Sequence, residues 1–420
     1  MFKAFFIALV LLIIPLYPKF PLVGVAGTFV AVRLEDFLLA GILSVWAIST
    51  LKSKFSETHL PVHRAILLYW FIGAIAVFSG IFLTKTAALN LGGLHLLRRI
   101  EYMALFFVAY SFLRTREQLH FIVRVILVVS LLVAGYGLGQ QFLNWPVITT
   151  TNSEFSKGLA LSLGPGARIN STFAGHYDLA AYSIFPLLLC LSLMSLKIDI
   201  KNKIFIGIIG GLSYWAMLLS ASRVTFAAFY LTAGLLFLII RKWTWLPLLV
   251  LAAIISIIAS PQLLGRYREL LINHVRAAGS AADEEIPDAL KPPLVPEDRS
   301  FNIRLQAEWP RALRAFYQNP VLGTGFSSVG LAVDNDYLRL LAETGLLGAA
   351  AFVLIILRFF KSSISYMRVP QDFREAFIVS VALGLVGLLL NALFIDVFEA
   401  SKVAVISWTL LGLAEKSKSL

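Results

Sequence analysis

Charged residues are scarce in this sequence: Asp, Glu, Lys and Arg together make up 14% of its 420 residues. Soluble domains carry roughly a quarter charged residues and just under half apolar ones, whereas 59% of this chain is hydrophobic. A water-soluble fold has too little interior to bury so much apolar surface, so lipid must be the solvent for most of the chain. The excess of 36 Lys and Arg over 24 Asp and Glu is ordinary for membrane proteins and predicts no nucleic-acid partner.

Cysteine and histidine are also rare, which argues against disulfide and metal chemistry. The single cysteine, Cys190, cannot form a disulfide within the chain. The six histidines are scattered, and the close pair His59 and His63 has Pro61 between its members, which interrupts any helical ligand spacing. We therefore predict no metal site and no cofactor.

Long apolar runs, by contrast, recur along the whole chain at the length that a helix needs to cross about 30 Å of hydrocarbon. They predict an all-α integral membrane protein with about twelve transmembrane helices, the first of them a retained N-terminal helix rather than a cleaved signal peptide. The predicted spans are residues 3–17, 35–51, 65–84, 99–113, 121–143, 177–196, 204–221, 224–240, 244–260, 337–357, 376–394 and 401–414.

The orientation of these spans follows from the distribution of Lys and Arg, which concentrate in cytoplasmic loops. Every second loop, counted from a cytoplasmic N-terminus, is basic. The residues concerned are Lys52, Lys54, Arg64, Arg114, Arg116, Lys197, Lys201, Lys203, Arg241, Lys242, Arg358, Lys361, Arg368, Arg374, Lys416 and Lys418. The pattern predicts a multi-pass protein of the bacterial cytoplasmic membrane with both termini in the cytoplasm.

Two loops on the predicted outer side, residues 144–176 and 261–336, are much longer than an ordinary connection, and long loops are often functional. Within the second, apolar residues fall on one helical face of Arg304–Phe316, so we expect an amphipathic helix that lies on the membrane surface or caps the bundle. Pro310 must kink this helix or start its second half. The chain thus divides into a nine-span region (1–260), an outer loop (261–336) and a three-span region (337–420), which together form one membrane domain.

Arginines on the outer side run against the charge distribution and need an explanation. Arg168 precedes a span, Arg223 lies in a short polar break between two spans, and Arg304 begins the amphipathic segment. A guanidinium binds phosphate oxygens in a bidentate fork, so these three residues suit a diphosphate. The alternative is that each contacts lipid headgroups or a carboxylate. We favour that alternative for Arg299, Arg311 and Arg314 of the second outer loop.

Acidic residues gather where the tenth span begins. Asp334 and Asp336 stand at its first turn, where a carboxylate caps the helix amides and favours the helix dipole. A carboxylate facing arginines at a membrane interface also suits a general base. Glu343 follows Arg339 by four residues, so the two are expected to neutralise each other.

Four short motifs follow one another between residues 160 and 350. The first is Arg168 with Ser171-Thr-Phe and Ala180, and the second is Ser220-Ala-Ser-Arg223. The third combines Arg304, Trp309 and Ala312-Leu313 with Asn319-Pro-Val-Leu-Gly-Thr-Gly, and the fourth comprises Asn335, Tyr337, Leu338, Glu343, Gly345 and Gly348. In this order and topology they resemble the O-antigen ligase and polymerase superfamily, bacterial membrane transferases acting on undecaprenyl-diphosphate-linked glycans.

The resemblance implies a metal-independent, inverting glycosyltransferase at the outer face of the membrane. Its partners would be an undecaprenyl-diphosphate-linked glycan, an acceptor glycan or lipid, and membrane lipids. In such an enzyme Arg168, Arg223 and Arg304 would bind the donor diphosphate. Residues Asn335, Tyr337 and Glu343 would support the site. The choice between ligation and polymerisation stays open, as do the glycan and the acceptor.

The chain departs from the family pattern at the expected base. Many members have a histidine before the Asn-x-Tyr-Leu motif, where this chain has Asp334. Asp334 would therefore have to take the proton of the acceptor hydroxyl, with His176 as the second candidate.

Two other functions compete with glycan transfer. Twelve spans also suit a secondary transporter, but transporters place polar groups near the middle of the membrane and show repeated halves. Here the polar groups lie at the outer ends of the spans, and we find no repeat. A non-catalytic subunit of polysaccharide assembly is the other alternative; it would tolerate neutral replacement of Arg168 and Arg223.

Overall fold

The computed structural model of the chain describes residues 2–18, 21–24, 31–52, 60–147, 167–260, 264–265, 303–330 and 333–420. Three residues named above, Lys54, His59 and Arg299, lie outside this part of the chain, as does much of each long outer loop. The statements below concern the described residues.

The described chain is almost entirely helical. Its α-helices are α1 (Phe2–Leu16), α2 (Leu34–Lys52), α3 (Pro61–Phe78), α4 (Leu89–Phe112), α5 (Arg116–Phe142), α6 (His176–Met194), α7 (Ile200–Leu219), α8 (Arg223–Ile239), α9 (Leu246–Ala259), α10 (Trp309–Gln318), α11 (Asp336–Ser363), α12 (Phe373–Asn391) and α13 (Ser401–Ser417). Short π-helical turns, Ser79–Leu83 and Arg304–Glu308, adjoin α3 and α10, and 3₁₀ turns, Trp243–Trp245 and Ile364–Tyr366, adjoin α9 and α11.

Each of the twelve predicted spans overlaps one of these helices. By length and composition, seven helical segments suffice to cross a membrane: Leu34–Leu51, Pro61–Leu83, Arg116–Phe142, His176–Met194, Ile200–Leu219, Asp336–Tyr366 and Phe373–Asn391. The apolar helices Lys3–Leu16, Arg223–Ile239 and Trp243–Ala259 are shorter. Helix α4 carries Arg98, Arg99 and Glu101 within its length, and α13 has 17 residues. The integral membrane α-helical class is supported, and the count of twelve spans stays a prediction.

The all-helical prediction missed a short antiparallel hairpin. Strand β1 (Pro21–Gly24) pairs with β2 (Ala31–Arg33), with Gly24 opposite Ala31. The hairpin leads directly into α2 and positions Arg33, whose side chain is 1% exposed. Alternation over so few residues is too weak a signal to detect inside an apolar sequence.

The core of the bundle is formed by α6, α12 and α13. In the most apolar stretches of α6 and α12, 78% and 72% of the residues are buried by the rest of the protein, against 22% in α2 and 28% in α7. Helix α13 is buried along nearly its whole length. The central helices therefore contact protein, and the peripheral ones leave apolar side chains for lipid.

The amphipathic segment folds as the sequence indicates. A π-helical turn precedes α10, and Pro310 occupies the first turn of α10, where its missing N–H costs nothing. Ala312 is buried in a cluster with Val333 and Ala342, so α10 caps the bundle. Leu313 remains 39% exposed, which leaves part of the apolar face for the membrane surface.

Helix α11 is interrupted at Gly345, whose φ of 64° lies in the left-handed region. A Cβ at this position would collide with the carbonyl oxygen of Val321, so only glycine lets the two backbones approach. The N–H of Leu346 donates to the carbonyl of Pro320 at 2.8 Å, and that of Gly325 to the carbonyl of Glu343 at 2.9 Å. The glycine-rich turn is thus inserted into the helix break, which fixes the position of the loop above α11.

Candidate functional site

The first pair of predicted site residues, Arg304 and Asp334, is in direct contact. Nε and Nη2 of Arg304 donate to Oδ2 of Asp334 at 3.1 and 2.9 Å. The arginine side chain is 9% exposed and the carboxylate 16%. Asp334 has a φ of 50°, a conformation that a residue other than glycine adopts only when its surroundings hold it.

Asp396 supplies those surroundings. Its carboxylate accepts hydrogen bonds from three consecutive backbone N–H groups, those of Val333, Asp334 and Asn335, each at 3.1 Å. Nη2 of Arg339 donates to the same carboxylate at 2.9 Å. Burial alone would raise the pKa of Asp396, but Arg339 and the backbone donors favour the charged form and lower the pKa below its usual range. The Asp396 carboxylate therefore fixes the backbone that carries Asp334.

The cap of α11 is Asn335, not Asp334 or Asp336 as the sequence suggested. The side-chain oxygen of Asn335 accepts from the N–H of Leu338 at 3.0 Å, and its amide donates to the carbonyl of Leu393 at 3.0 Å. Asp334 is turned towards Arg304 by its left-handed backbone and cannot cap. The Asp336 carboxylate instead accepts from the N–H of Phe398 at 3.1 Å.

Glu343 and Arg339 form the ion pair that their spacing predicts, with Nη1 and Oε1 3.3 Å apart. The same carboxylate oxygen accepts from the N–H of Ser327 at 3.0 Å. Arg99 of α4 approaches Glu343 to 3.9 Å and forms an ion pair with Glu399. These charges make a buried network that joins α4, α11 and the α12–α13 loop.

Asn335, Tyr337 and Glu343 were predicted to support the site, and that role stays a prediction. The hydroxyl of Tyr337 donates to the carbonyl of Leu389 on α12 at 2.8 Å. Asn335 and Tyr337 thus hold α11 to the end of α12 through the carbonyls of Leu393 and Leu389, and Glu343 holds it to Ser327 and Arg99.

The second predicted pair, Arg168 and His176, is also in contact, with Nη1 of the arginine 3.0 Å from Nε2 of the imidazole. Because a guanidinium can only donate, Nε2 accepts this bond and the proton of a neutral ring lies on Nδ1. Both residues are half-buried. His176 begins α6, so the helix holds the imidazole beside the loop that carries Arg168.

Arg223 is the first residue of α8 and is half-buried. Ser222 caps this helix, with its hydroxyl 3.4 Å from the N–H of Thr225. The N–H of Ile169, next to Arg168, donates to the carbonyl of Leu219 at 3.3 Å. The loop that carries Arg168 therefore lies against the turn that leads to Arg223.

Both parts of the site meet at the end of α12. The hydroxyl of Thr225 donates to the side chain of Asn391 at 2.6 Å, and the N–H of Asp336 donates to the carbonyl of Ala392 at 2.9 Å. One short segment thus contacts the start of α8 on one side and the start of α11 on the other. Arg168, Arg223, Arg304 and Asp334 accordingly belong to one end of the bundle.

Lys402 of α13, which is 1% exposed, connects this helix to the loop that carries Arg168. Lys402 donates from Nζ to the carbonyls of Thr172 at 2.7 Å and Pro15 at 3.1 Å. Its Nζ also lies 5.1 Å from the centre of the Phe173 ring. A charge held this way orders the loop rather than meeting a ligand.

Sequence reasoning overlooked the α12–α13 loop and Arg99. Asp396 and Glu399 are charges between two predicted spans, Lys402 is the second residue of the last span, and Arg99 lies at the predicted outer end of a span. Intramembrane and interfacial charges are expensive unless paired or used, so the argument applied to Arg223 also singles out these residues. Within the described chain, no three His, Cys, Asp or Glu side chains converge as metal ligands would.

Comparison with known families supports the resemblance carried by the motifs. Residues 208–353 match the family model described as O-antigen ligase. The matched range includes Arg223, Arg304, Asp334 and the α11 signature, and it supports the resemblance to the O-antigen ligase and polymerase superfamily. No curated protein matches the chain.

Proposed function

We propose that this protein is a metal-independent, inverting glycosyltransferase that moves a glycan from undecaprenyl diphosphate to an acceptor hydroxyl at the outer face of the cytoplasmic membrane. The family match implies glycan transfer in a membrane. The observation that carries the proposal further is the Arg304–Asp334 pair, which lies with Arg168 and Arg223 at one end of the bundle.

The donor diphosphate is assigned to Arg168 and Arg223. Both are half-buried, and a partly desolvated guanidinium binds phosphate oxygens with short, charge-assisted hydrogen bonds. The imidazole of His176 accepts from Arg168 and so orients the guanidinium. Arg304 is assigned a double role: Nε and Nη2 hold Asp334, and Nη1, which is not part of that pair, is assigned to the donor.

Asp334 is the proposed general base, in preference to His176. The Nε2 atom of His176 already accepts a hydrogen bond from Arg168, so the atom that would take a proton is occupied. Asp334 uses Oδ2 to bind Arg304, and Oδ1 is the oxygen assigned to the acceptor. The Asp396 carboxylate accepts the backbone N–H of Asp334 and thereby fixes the direction in which the Asp334 carboxylate points.

The reaction is a single displacement at the anomeric carbon. The acceptor oxygen forms a bond to that carbon as the bond between the carbon and the phosphate oxygen breaks, and the configuration inverts. The hydroxyl proton passes to Asp334, and the electron pair of the broken bond leaves with undecaprenyl diphosphate. Arg168 and Arg223 stabilise the charge that grows on the leaving diphosphate, which is the part of the reaction where fixed cations contribute most.

Reconstitution with a polyprenyl-diphosphate oligosaccharide tests this proposal. We expect acceptor-dependent release of the polyprenyl diphosphate, in the presence of EDTA as well as in its absence, and a product of inverted anomeric configuration. Tight donor binding without release in the presence of any acceptor would instead identify a non-catalytic assembly subunit. Movement of the intact donor across a sealed vesicle, without bond cleavage, would identify a transporter.

A further inference from the structure

A cavity lies at the opposite end of the bundle from the candidate site. Its volume is about 830 Å³, and its walls are α5, the connection between α6 and α7, the start of α7 and the segment that leads into α12. Cavities of this size commonly hold a ligand. The connection between α6 and α7 is one of the predicted cytoplasmic loops, so the cavity faces the inner leaflet.

The mouth of this cavity is positively charged. Arg124 and Lys197 line it and are exposed, and within the described residues neither forms an ion pair with a carboxylate. The carboxylate at the rim, Asp372, is 3.6 Å from Arg116 and 3.8 Å from Arg374, so it is balanced by cations of its own. The cavity therefore offers two cationic groups to an anion from outside the protein.

The walls below the mouth are apolar. Helix α5 presents Val123, Leu127 and Val128 to the cavity. Leu127 and Val128 follow Arg124 by three and four residues, so they share one helical face with it. Phe205 and Ile206 of α7 face them. Since α5 begins at this end of the bundle, Leu127 and Val128 lie about one turn deeper than Arg124.

The rim is rigid on the side of α12. The imidazole of His120 stacks on the ring of Phe373, with centres 4.2 Å apart and planes 20° from parallel. Its Nδ1 lies 2.8 Å from the carbonyl oxygen of Arg116. This stack joins α5 to α12 and keeps the cavity wall in place.

We propose that this cavity binds an anionic phospholipid of the inner leaflet. The phosphate lies between Arg124 and Lys197, and the first part of an acyl chain lies along Leu127, Val128 and Phe205. Neither a free phosphate nor a neutral lipid would match the whole cavity. A free phosphate would leave the apolar walls exposed, and a neutral lipid would leave the two cations without an anionic partner. The inference is independent of the proposed glycan transfer.

Lipid retention tests the assignment. The protein is purified from vesicles of phosphatidylglycerol and phosphatidylcholine, and the bound lipid is measured by native mass spectrometry. We expect wild type to retain phosphatidylglycerol selectively. A basic residue near an anionic lipid contributes about fivefold in affinity, so the double variant Arg124→Gln, Lys197→Gln should lose about tenfold or more. Lys201→Gln, an exposed lysine one turn further along the chain that does not line the cavity, is the matched control.

A third variant separates lipid from a free anion. Val128→Trp fills the apolar half and leaves both cations in place, so it should also reduce phosphatidylglycerol retention. If Val128→Trp binds the lipid as wild type does and inorganic phosphate competes for the site, the cavity is an anion site and the lipid assignment is wrong. Equal lipid selectivity in wild type and the Arg124, Lys197 double variant would likewise overturn it.

Discussion

Two groups of arginines lie at the same end of this molecule and differ in what they bind. Arg339 and Arg99 are 4% and 12% exposed and bind the carboxylates of Asp396, Glu343 and Glu399. Arg168 is half-buried and hydrogen-bonded to a neutral imidazole. A buried arginine among carboxylates has its charge balanced within the fold, which indicates a structural role. These contacts indicate a structural role for Arg339 and Arg99, whereas donor binding by Arg168 and Arg223 is the role that we propose.

Asp334 is the proposed general base, and its replacement should have the largest effect on the rate of glycan transfer. Asp334→Asn keeps the size of the side chain and a hydrogen bond to Arg304 but removes the base. General bases typically contribute about 10²–10⁴ in rate, so transfer should fall by about 100-fold or more. Thermal unfolding should hardly change.

The control is Asp199→Asn, which makes the same change at an exposed cap of α7. It should leave transfer intact. Near-normal transfer by Asp334→Asn would remove Asp334 as the base and make His176→Gln the next variant to assay.

Arg339→Ala should break the structural group. It leaves the carboxylates of Asp396 and Glu343 buried without their main partner, and breaking a buried ion pair in this way costs about 3–5 kcal/mol. The measurement is thermal unfolding in detergent. Arg358→Ala, an exposed arginine on the same helix, should change stability by less than about 0.5 kcal/mol. Equal stability of the two variants would contradict a structural role for Arg339.

The stability that Asp396 contributes should depend on pH, in a direction that follows from its lowered pKa. Its pKa is lowered in the folded state, so its contribution to stability is present above the ordinary aspartate pKa of about 4 and is lost as pH falls through the lower folded value. Wild type should therefore lose stability below about pH 4, measured by thermal unfolding across pH. Asp396→Asn should be less stable at neutral pH and show a shallower loss on acidification. A steeper acid dependence in the variant would contradict this prediction.

The smallest expected effect concerns the cap of α11. Asn335→Ala removes the bond to the N–H of Leu338, and such caps contribute about 1 kcal/mol. Asn335→Asp keeps the accepting oxygen and should recover most of that loss. The measurement is the free energy of unfolding of wild type and of the two variants. A loss in Asn335→Asp as large as in Asn335→Ala would show that the bond to the Leu393 carbonyl matters more.

Local patterns in the sequence predicted much of this architecture. Apolar runs placed a helix at every predicted span, Pro310 marked the start of α10, and the four-residue spacing predicted the Arg339–Glu343 pair. These features depend on residues within one or two helical turns of each other, which periodicity reports directly. The break at Gly345 was not predicted, because it depends on a turn that lies some twenty residues earlier in the chain.

The candidate site was predicted only in part, for the same physical reason. The motifs identified Arg168, Arg223, Arg304 and Asp334, but not which of them would be in contact. Asp396 lies 62 residues after Asp334 along the chain, and nothing local indicates that its carboxylate would receive three backbone N–H groups. Such contacts appear only when α12 and α13 bring their connecting loop against the start of α11.

Donor binding by Arg223→Ala tests most directly whether the two groups of arginines differ in function. The measurement is the Kd of a polyprenyl-diphosphate oligosaccharide for the protein in nanodiscs, beside Arg223→Lys and the control Arg241→Ala at the far end of α8. A charge-assisted contact contributes about 1.5–3 kcal/mol, so Arg223→Ala should weaken binding by about tenfold or more, and Arg223→Lys should restore little of the affinity. The unfolding temperature of Arg223→Ala and the affinity of Arg241→Ala should match wild type. Wild-type affinity in a stably folded Arg223→Ala variant would contradict the account.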